Sequence, residues 1–89
     1  MDFEWDTKKA QLNTGKHGVT FEEASEVFGD ALSITVPDPD HSDDEARFVI
    51  FGKSLKERYL VASFTERGGR IRVISVRQMT RRERAAYEQ

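Results

Sequence analysis

The spacing of apolar residues changes along the chain, and each spacing predicts a different secondary structure. Phe21, Ala24, Val27 and Phe28 recur at helical intervals, which is typical of a helix with one buried face. From Arg47 onward the apolar residues instead fall in short β-branched and aromatic runs, which favour strands. The chain is therefore expected to place its main helices before most of its strands.

The front half contains signals for a short strand followed by two helices. Residues 3–5 are expected to form an edge strand, and Asp6 is a plausible N-cap for a helix that ends near residues 15–18. This helix is mostly polar, so its apolar contacts are expected from Ala10 and Leu12. Thr20 and Glu23 have capping-box spacing and predict the start of the second helix.

The second helix is expected to stop at Gly29 and Asp30, and a strand over residues 32–36 then ends at Pro37. An acidic loop is expected over residues 38–45. The acidic residues at alternate positions of this loop resemble the start of an EF-hand calcium-binding loop. However, Asp43 and Val49 stand where that loop needs glycine and glutamate, so calcium binding is not expected.

The back half predicts three strands, over about residues 47–51, 58–65 and 70–77. Short turns at residues 53–57 and 68–69 favour an antiparallel meander. Thr80 and Glu83 then open a last helix over residues 81–88. The order predicts one α+β domain spanning residues 1–89, with helices segregated from an antiparallel sheet.

Charge divides the chain into an acidic front and a basic back. Residues 1–45 hold 3 Lys/Arg against 12 Asp/Glu, and residues 46–89 hold 11 against 4, although the net charge is only −2. Such a split creates a local field that the average conceals. We expect the basic half to contact RNA, and mutual neutralisation of the two halves is the simpler alternative.

The last strand carries the arginines that are the clearest candidates for a chemical role. Strict alternation places Ile71, Val73, Ser75 and Arg77 on one side and Arg70, Arg72, Ile74 and Val76 on the other. An arginine at the end of an apolar strand face is suited to a phosphate and its developing charge. A salt bridge to a front-half carboxylate is the alternative for each arginine.

Other candidate residues lie near the helix ends and the acidic loop. Lys16 and His17 are at a helix C-terminus, where a histidine either caps the helix or acts as a general acid or base. His41 and Glu45 are a possible proton-handling or salt-bridge group beside Arg47. Arg81 and Arg82 stand in a first helical turn, where the macrodipole disfavours cations, so RNA, an acidic partner or Glu83 is expected to compensate them.

The sequence contains no cysteine, Walker loop, dinucleotide fingerprint or paired-histidine helix, so we expect neither a metal site nor a cofactor. Attack of a ribose 2′-hydroxyl on the adjacent phosphate needs only acid–base groups and cations. Acidic residues follow Met1 in place of a basic and apolar leader, and no run is long enough to span a membrane. A cytoplasmic location is therefore expected.

Seven short blocks, read in order, resemble the BrnT family of toxins. The blocks cover residues 3–6, 16–19, 21–24, 40–42, 45–48, 64–67 and 71–77. One departure is Val76, where the family more often has alanine.

The resemblance implies a RelE-like ribonuclease fold and growth arrest through RNA cleavage. It also implies neutralisation by a BrnA-type DNA-binding antitoxin, in a complex of two toxins and an antitoxin dimer. Within related toxins the catalytic duties fall on basic residues of the sheet, which favours Arg67 and Arg77, with Arg47 next. His17, Glu45 and Lys16 lie in matched blocks, but their roles stay open.

Substrate binding is assigned to a wider set of cations. This set is Lys16, Arg72, Arg81, Arg82 and Arg84. The alternative to an enzyme is a non-catalytic module, such as an inactive toxin relic, that binds an antitoxin-like protein or RNA through the basic half.

Overall fold

Residues 1–41 and 45–89 are described by the computed structural model, so the part of the predicted acidic loop at residues 42–44 lies outside the described residues. The elements are β1 (Phe3–Glu4), α1 (Thr7–His17), α2 (Phe21–Glu26), β2 (Ile34–Pro37), β3 (Arg47–Lys53), β4 (Tyr59–Arg67), β5 (Arg70–Gln78) and α3 (Arg81–Tyr87), with 3₁₀ turns at Val27–Gly29 and Pro39–His41. The predicted order of strands and helices is confirmed. The second helix is α-helical over a shorter range than predicted, because its last turn is a 3₁₀ turn.

Five strands form one sheet in the described part of the chain, in the order β1-β5-β4-β3-β2. The antiparallel meander predicted for β3, β4 and β5 is confirmed, and β2 adds to it antiparallel to β3. The expectation of a wholly antiparallel sheet is wrong at one edge, because β1 pairs with β5 in parallel. A parallel pair needs a long crossover, and here all the elements from α1 to β4 lie between the two strands.

The helices α1 and α2 lie on one face of the sheet and enclose the core. Leu60, Ala62 and Phe64 of β4 are buried there, against the helices. Val19, Phe21, Ala24 and Val27 supply the helical side of the core, and Ile50, Val73 and Val76 complete the sheet side.

Helix α1 contacts this core differently from the prediction. Ala10 packs against the core, but Leu12 is 68% exposed, so the expectation for Leu12 was wrong. The residue that α1 buries is instead Asn13, which is 8% exposed. Its amide hydrogen-bonds to backbone groups of the loop before α2 and of β5, which is how a buried polar side chain avoids an unsatisfied group.

Helix α2 begins at the predicted N-cap, where Thr20 Oγ1 accepts from the Glu23 amide at 3.0 Å. The Glu23 carboxylate does not return to Thr20, so the reciprocal half of that capping box was wrongly predicted. It accepts from Ser54 Oγ at 2.8 Å and Arg58 Nε at 2.9 Å, and the hydrogen-bonded Arg58 guanidinium lowers the pKa of Glu23. This buried pair joins α2 to the turn between β3 and β4. The capping box of Thr80 and Glu83, by contrast, is complete.

A β-bulge in β5 changes which side chains share a face. Ser75 pairs with Ser63 and Val73 pairs with Phe64, so Ile74 has no partner in β4. An extra residue of this kind interrupts the alternation of side chains. Val73 and Val76 are therefore both in the core, and the predicted grouping of Ser75 and Arg77 with Ile71 and Val73 is wrong.

Candidate functional site

The sheet face opposite α1 and α2 carries the strand arginines. Because residues directly paired across strands point to the same side, the registers assign to this face the five side chains that we call the arginine face: Arg47, Arg67, Arg70, Arg72 and Arg77. Strict alternation predicted that Arg72 and Arg77 would lie on opposite sides. The bulge at Ile74 brings them to the same side.

The arginine face has two ends. Arg77 lies opposite Val61, whereas Arg67 pairs with Arg70 at the far end of β4. The six residue steps from Val61 to Arg67 span about 20 Å at about 3.3 Å per step. Arg67 and Arg77 therefore lie at opposite ends of the face.

One end of this face opens into a cleft of about 460 Å³. The polar residues that line it are Lys16, His17, Asp38, Ser63, Ser75 and Arg77. Lys16 and His17 reach it because α1 ends beside β5, with Gly18 in the left-handed conformation (φ 69°) as its C-cap. The structure thus brings together three of the predicted site residues, Lys16, His17 and Arg77.

Arg77 is held in this cleft by Glu83, the third residue of α3. Its Nη1 and Nη2 donate to the two carboxylate oxygens of Glu83 at 2.7 and 2.9 Å. Hydrogen bonds from Arg77, with a further one from the Thr80 amide, lower the pKa of Glu83 to about 2. Nη1 also donates to the Gln78 carbonyl at 3.2 Å, and the Arg77 side chain is still 42% exposed.

The other end of the arginine face gathers Arg47, Arg67 and Arg72. Arg67 donates to Glu45, and Arg72 Nη1 donates to Glu4 Oε2 at 2.8 Å. The pKa of Glu45 is lowered, chiefly by the hydrogen bond from Arg67 and in part by the charges of Arg72 and Arg47. Glu45 is therefore an ionised partner of Arg67.

His41 does not join the group that was expected around Glu45. Its Nδ1 lies 3.0 Å from the Asp38 carboxylate, within the 3₁₀ turn that precedes the undescribed residues. The predicted grouping of His41 with Glu45 is thus wrong, because Glu45 is engaged by Arg67.

Helix α3 covers the Arg77 end of the face and carries three further arginines. Arg84 stacks over the Tyr59 ring at 3.9 Å and pairs with Glu88 at 3.6 Å. The contact with Tyr59 joins α3 to β4. Arg81 and Arg82 are exposed. The compensation expected for these two cations is supplied within the helix by Glu83, through the complete capping box.

Two hydroxyl residues of the cleft were not identified from the sequence. Ser63 and Ser75 pair directly across β4 and β5 and both line the cleft. The available signal was a serine within each otherwise apolar strand, but the bulge was needed to place Ser75, together with Arg77, away from the core.

The cleft combines groups that suit a phosphodiester. Arg77 and Lys16 supply positive charge, Ser63 and Ser75 supply hydroxyl donors, and His17 supplies an imidazole with ring nitrogens that can donate or accept a hydrogen bond. Among residues 1–41 and 45–89, no three histidine or acidic side chains gather as metal ligands. No helix in the same ranges is long and apolar enough to cross a bilayer.

Comparisons with known proteins agree with this fold. A family model described as the ribonuclease toxin, BrnT, of type II toxin-antitoxin systems matches residues 5–83. The chain therefore belongs to the BrnT family of ribonuclease toxins, as the seven sequence blocks predicted. No curated protein sequence gives a significant match.

A crystal structure of the Brucella abortus ribonuclease toxin, BrnT, superposes on this chain with a TM-score of 0.72. The alignment covers 91% of this chain and 99% of the Brucella chain, at 23% sequence identity. At this identity the likeness establishes the α+β fold and does not by itself assign residue roles.

We predict that the Arg77–Glu83 pair stabilises the fold in a pH-dependent way. Because the pKa of Glu83 is lowered from 4.5 to about 2, the stabilisation is complete above pH 4.5 and is lost as the pH falls towards 2. The partial exposure of Arg77 limits the effect to about 1–2 kcal/mol. Denaturant unfolding of wild type and Glu83→Gln from pH 2 to 7 measures this contribution to the free energy of unfolding. If the free energy of unfolding had the same slope against pH in the two proteins, the prediction would be contradicted.

Proposed function

We propose that this chain is a metal-independent endoribonuclease toxin that cleaves RNA in the cleft of Lys16, His17 and Arg77. The carrying observation is the bulge at Ile74, which turns Ser75 and Arg77 together to the face opposite the core, beside the C-terminus of α1. The proposed reaction is attack of a ribose 2′-hydroxyl on the adjacent phosphate. It yields a 2′,3′-cyclic phosphate and a 5′-hydroxyl.

Each group in the cleft has a proposed role in this reaction. Arg77 holds the phosphate oxygens and the charge that develops on them, and its anchoring by Glu83 fixes the guanidinium before RNA arrives. His17 exchanges a proton with the attacking or the leaving oxygen. Lys16 adds positive charge near the attacked phosphate.

The other end of the arginine face is proposed to bind flanking phosphates. Arg67 is paired with Glu45 and Arg72 with the half-buried Glu4. An exposed pair such as Arg67–Glu45 contributes only about 0–1 kcal/mol. Exchange of a carboxylate for a phosphate therefore costs little there. We assign Arg47, Arg67 and Arg72 to RNA binding, with Glu45 as the partner that Arg67 releases.

The proposed setting follows from membership of the family. We propose that residues 1–89 act as a single RelE-like toxin domain in the cytoplasm and that a BrnA-type antitoxin neutralises it. The antitoxin is proposed to assemble as a dimer with two toxins. The exposed Arg81 and Arg82 on α3 form a docking surface for RNA or for this antitoxin.

A second candidate function is a non-catalytic module that binds an antitoxin-like protein or RNA. The observation in its favour is that Glu83 already occupies both terminal nitrogens of Arg77. In this alternative the pair is purely structural, and the basic half serves only for docking.

We expect purified wild-type protein to cleave RNA in the presence of EDTA and to leave 2′,3′-cyclic phosphate ends. Arg77→Ala should lower kcat by about 100-fold or more, because it removes a cation placed at the developing charge. Arg67→Ala is the matched control from the same face. It should raise KM and reduce the salt dependence of binding while kcat changes little.

Steady-state cleavage of a labelled RNA measures both parameters. Cleavage by Arg77→Ala at the wild-type rate would contradict the assigned role of Arg77. A fall in kcat with Arg67→Ala as large as that with Arg77→Ala would contradict the division of the face into two functions.

Expression in bacteria separates the two candidate functions. Wild type should arrest growth unless a cognate antitoxin is co-expressed, and Arg77→Ala should be tolerated at the same protein level. Colony counts after induction, with immunoblots for protein level, measure the effect. Normal growth with abundant folded wild-type protein would favour the non-catalytic module.

A further inference from the structure

Asn13 is a polar residue on the buried side of α1, and backbone groups satisfy its amide. Nδ2 donates to the Val19 carbonyl at 3.0 Å and to the Val76 carbonyl at 2.9 Å. Oδ1 accepts from the Val76 amide at 3.0 Å. One side chain therefore connects α1, the loop that enters α2, and the middle of β5.

The contact with Val76 occurs at the edge of β5 that faces away from β4, where no described strand pairs with this part of β5. The N–H and C=O of one strand residue point to the same side, and both of these groups of Val76 bind Asn13, so they point away from β4. On that side β1 pairs with β5 only at Ile71 and Arg72. The amide of Asn13 takes the place of a strand at the open edge, two residues beyond the bulge at Ile74.

Both partners in this contact lie next to cleft residues. Asn13 precedes Lys16 and His17 by one helical turn, and Val76 stands between Ser75 and Arg77. The two walls of the cleft, from α1 and from β5, are thus joined by one side chain. A shift between α1 and β5 would change the distance from His17 to Arg77 directly.

We propose that Asn13 is a positioning residue of the cleft: its amide fixes the bulged segment of β5 against the end of α1, so that His17 and Arg77 face one phosphate. This inference rests on the proposed ribonuclease function. Its chemical basis is the fit of a carboxamide, which offers both a donor and an acceptor, to the paired amide and carbonyl of Val76.

Thr14 provides a matched control on the same helix. Its hydroxyl also contacts the Val19 carbonyl, at 3.4 Å, and bonds to the Ala10 carbonyl at 3.0 Å, and neither of these partners lies in β5. Thr14→Ala therefore perturbs the end of α1 and leaves the contact with Val76 in place.

The first test is steady-state cleavage of RNA by Asn13→Ala and Thr14→Ala. A misplaced reacting group lowers the rate of the chemical step more than it weakens substrate binding. The arginines assigned to RNA binding, Arg47, Arg67 and Arg72, are unchanged in both variants. We expect Asn13→Ala to lower kcat by about 10- to 100-fold with KM within about twofold of wild type. Thr14→Ala should retain both parameters within about twofold. Wild-type kcat in a folded Asn13→Ala protein would overturn the proposal.

The second test does not depend on activity. Hydrogen exchange, followed residue by residue by NMR, should show a protected Val76 amide in wild type and in Thr14→Ala. In Asn13→Ala this amide should exchange at least tenfold faster, while amides of β4 such as Ala62 keep their protection. Unchanged protection of Val76 would overturn the proposal.

A further variant, Asn13→Asp, covers the case in which Asn13→Ala does not fold. It keeps the side-chain size and the acceptor for the Val76 amide but loses both donated bonds. Its Val76 amide should stay protected, while kcat falls at unchanged KM; wild-type kcat would overturn the proposal. If wild type cleaves no RNA while the Val76 amide still exchanges faster in Asn13→Ala, as expected, the proposed function fails. The role of Asn13 in fixing β5 against α1 then stands.

Discussion

The bulge at Ile74 is the constraint on which the arrangement of this protein depends. Without it, Arg77 would point to the side where α1 and α2 enclose the core, and Val76 would point to solvent. With it, Val73 and Val76 both enter the core and Arg77 joins the other strand arginines. On the edge of β5 that the short β1 leaves open, Asn13 binds the backbone amide and carbonyl of Val76. Fold and candidate chemistry are therefore set by the same local irregularity.

Electrostatics organise the surface that the bulge creates. The arginines of β3, β4 and β5 lie on the face that α1 and α2 leave uncovered. Three carboxylates at its rim, Glu4, Glu45 and Glu83, pair with four of these arginines. Those carboxylates keep the guanidinium groups ordered without removing their exposure. The acidic front half thus neutralises part of the basic half, as one alternative expected, yet the face retains more arginines than paired carboxylates.

Local signals in the sequence predicted much of the fold. Asp6, Thr20 and Thr80 cap the three helices as expected, and strand propensity located β3, β4 and β5. The bulge was not predictable, because strict alternation is the default and the extra residue is fixed by packing of Val76. Asn13 was missed for a related reason, since its partners are backbone groups 6 and 63 residues away. The sequence predicted that the strands carry the candidate arginines, but their placement on one face, at two separate ends, required the register.

The central claim is that RNA lies across the arginine face with a phosphate in the cleft of Lys16, His17 and Arg77. Titration of isotope-labelled protein with a short RNA that carries 2′-O-methyl groups, and so cannot be cleaved by 2′-hydroxyl attack, tests it most directly. The largest NMR shift changes are predicted at His17, Ser63, Ser75 and the Arg77 side chain. Changes confined to the opposite side of the protein, around Phe28 and Leu55, would contradict the claim.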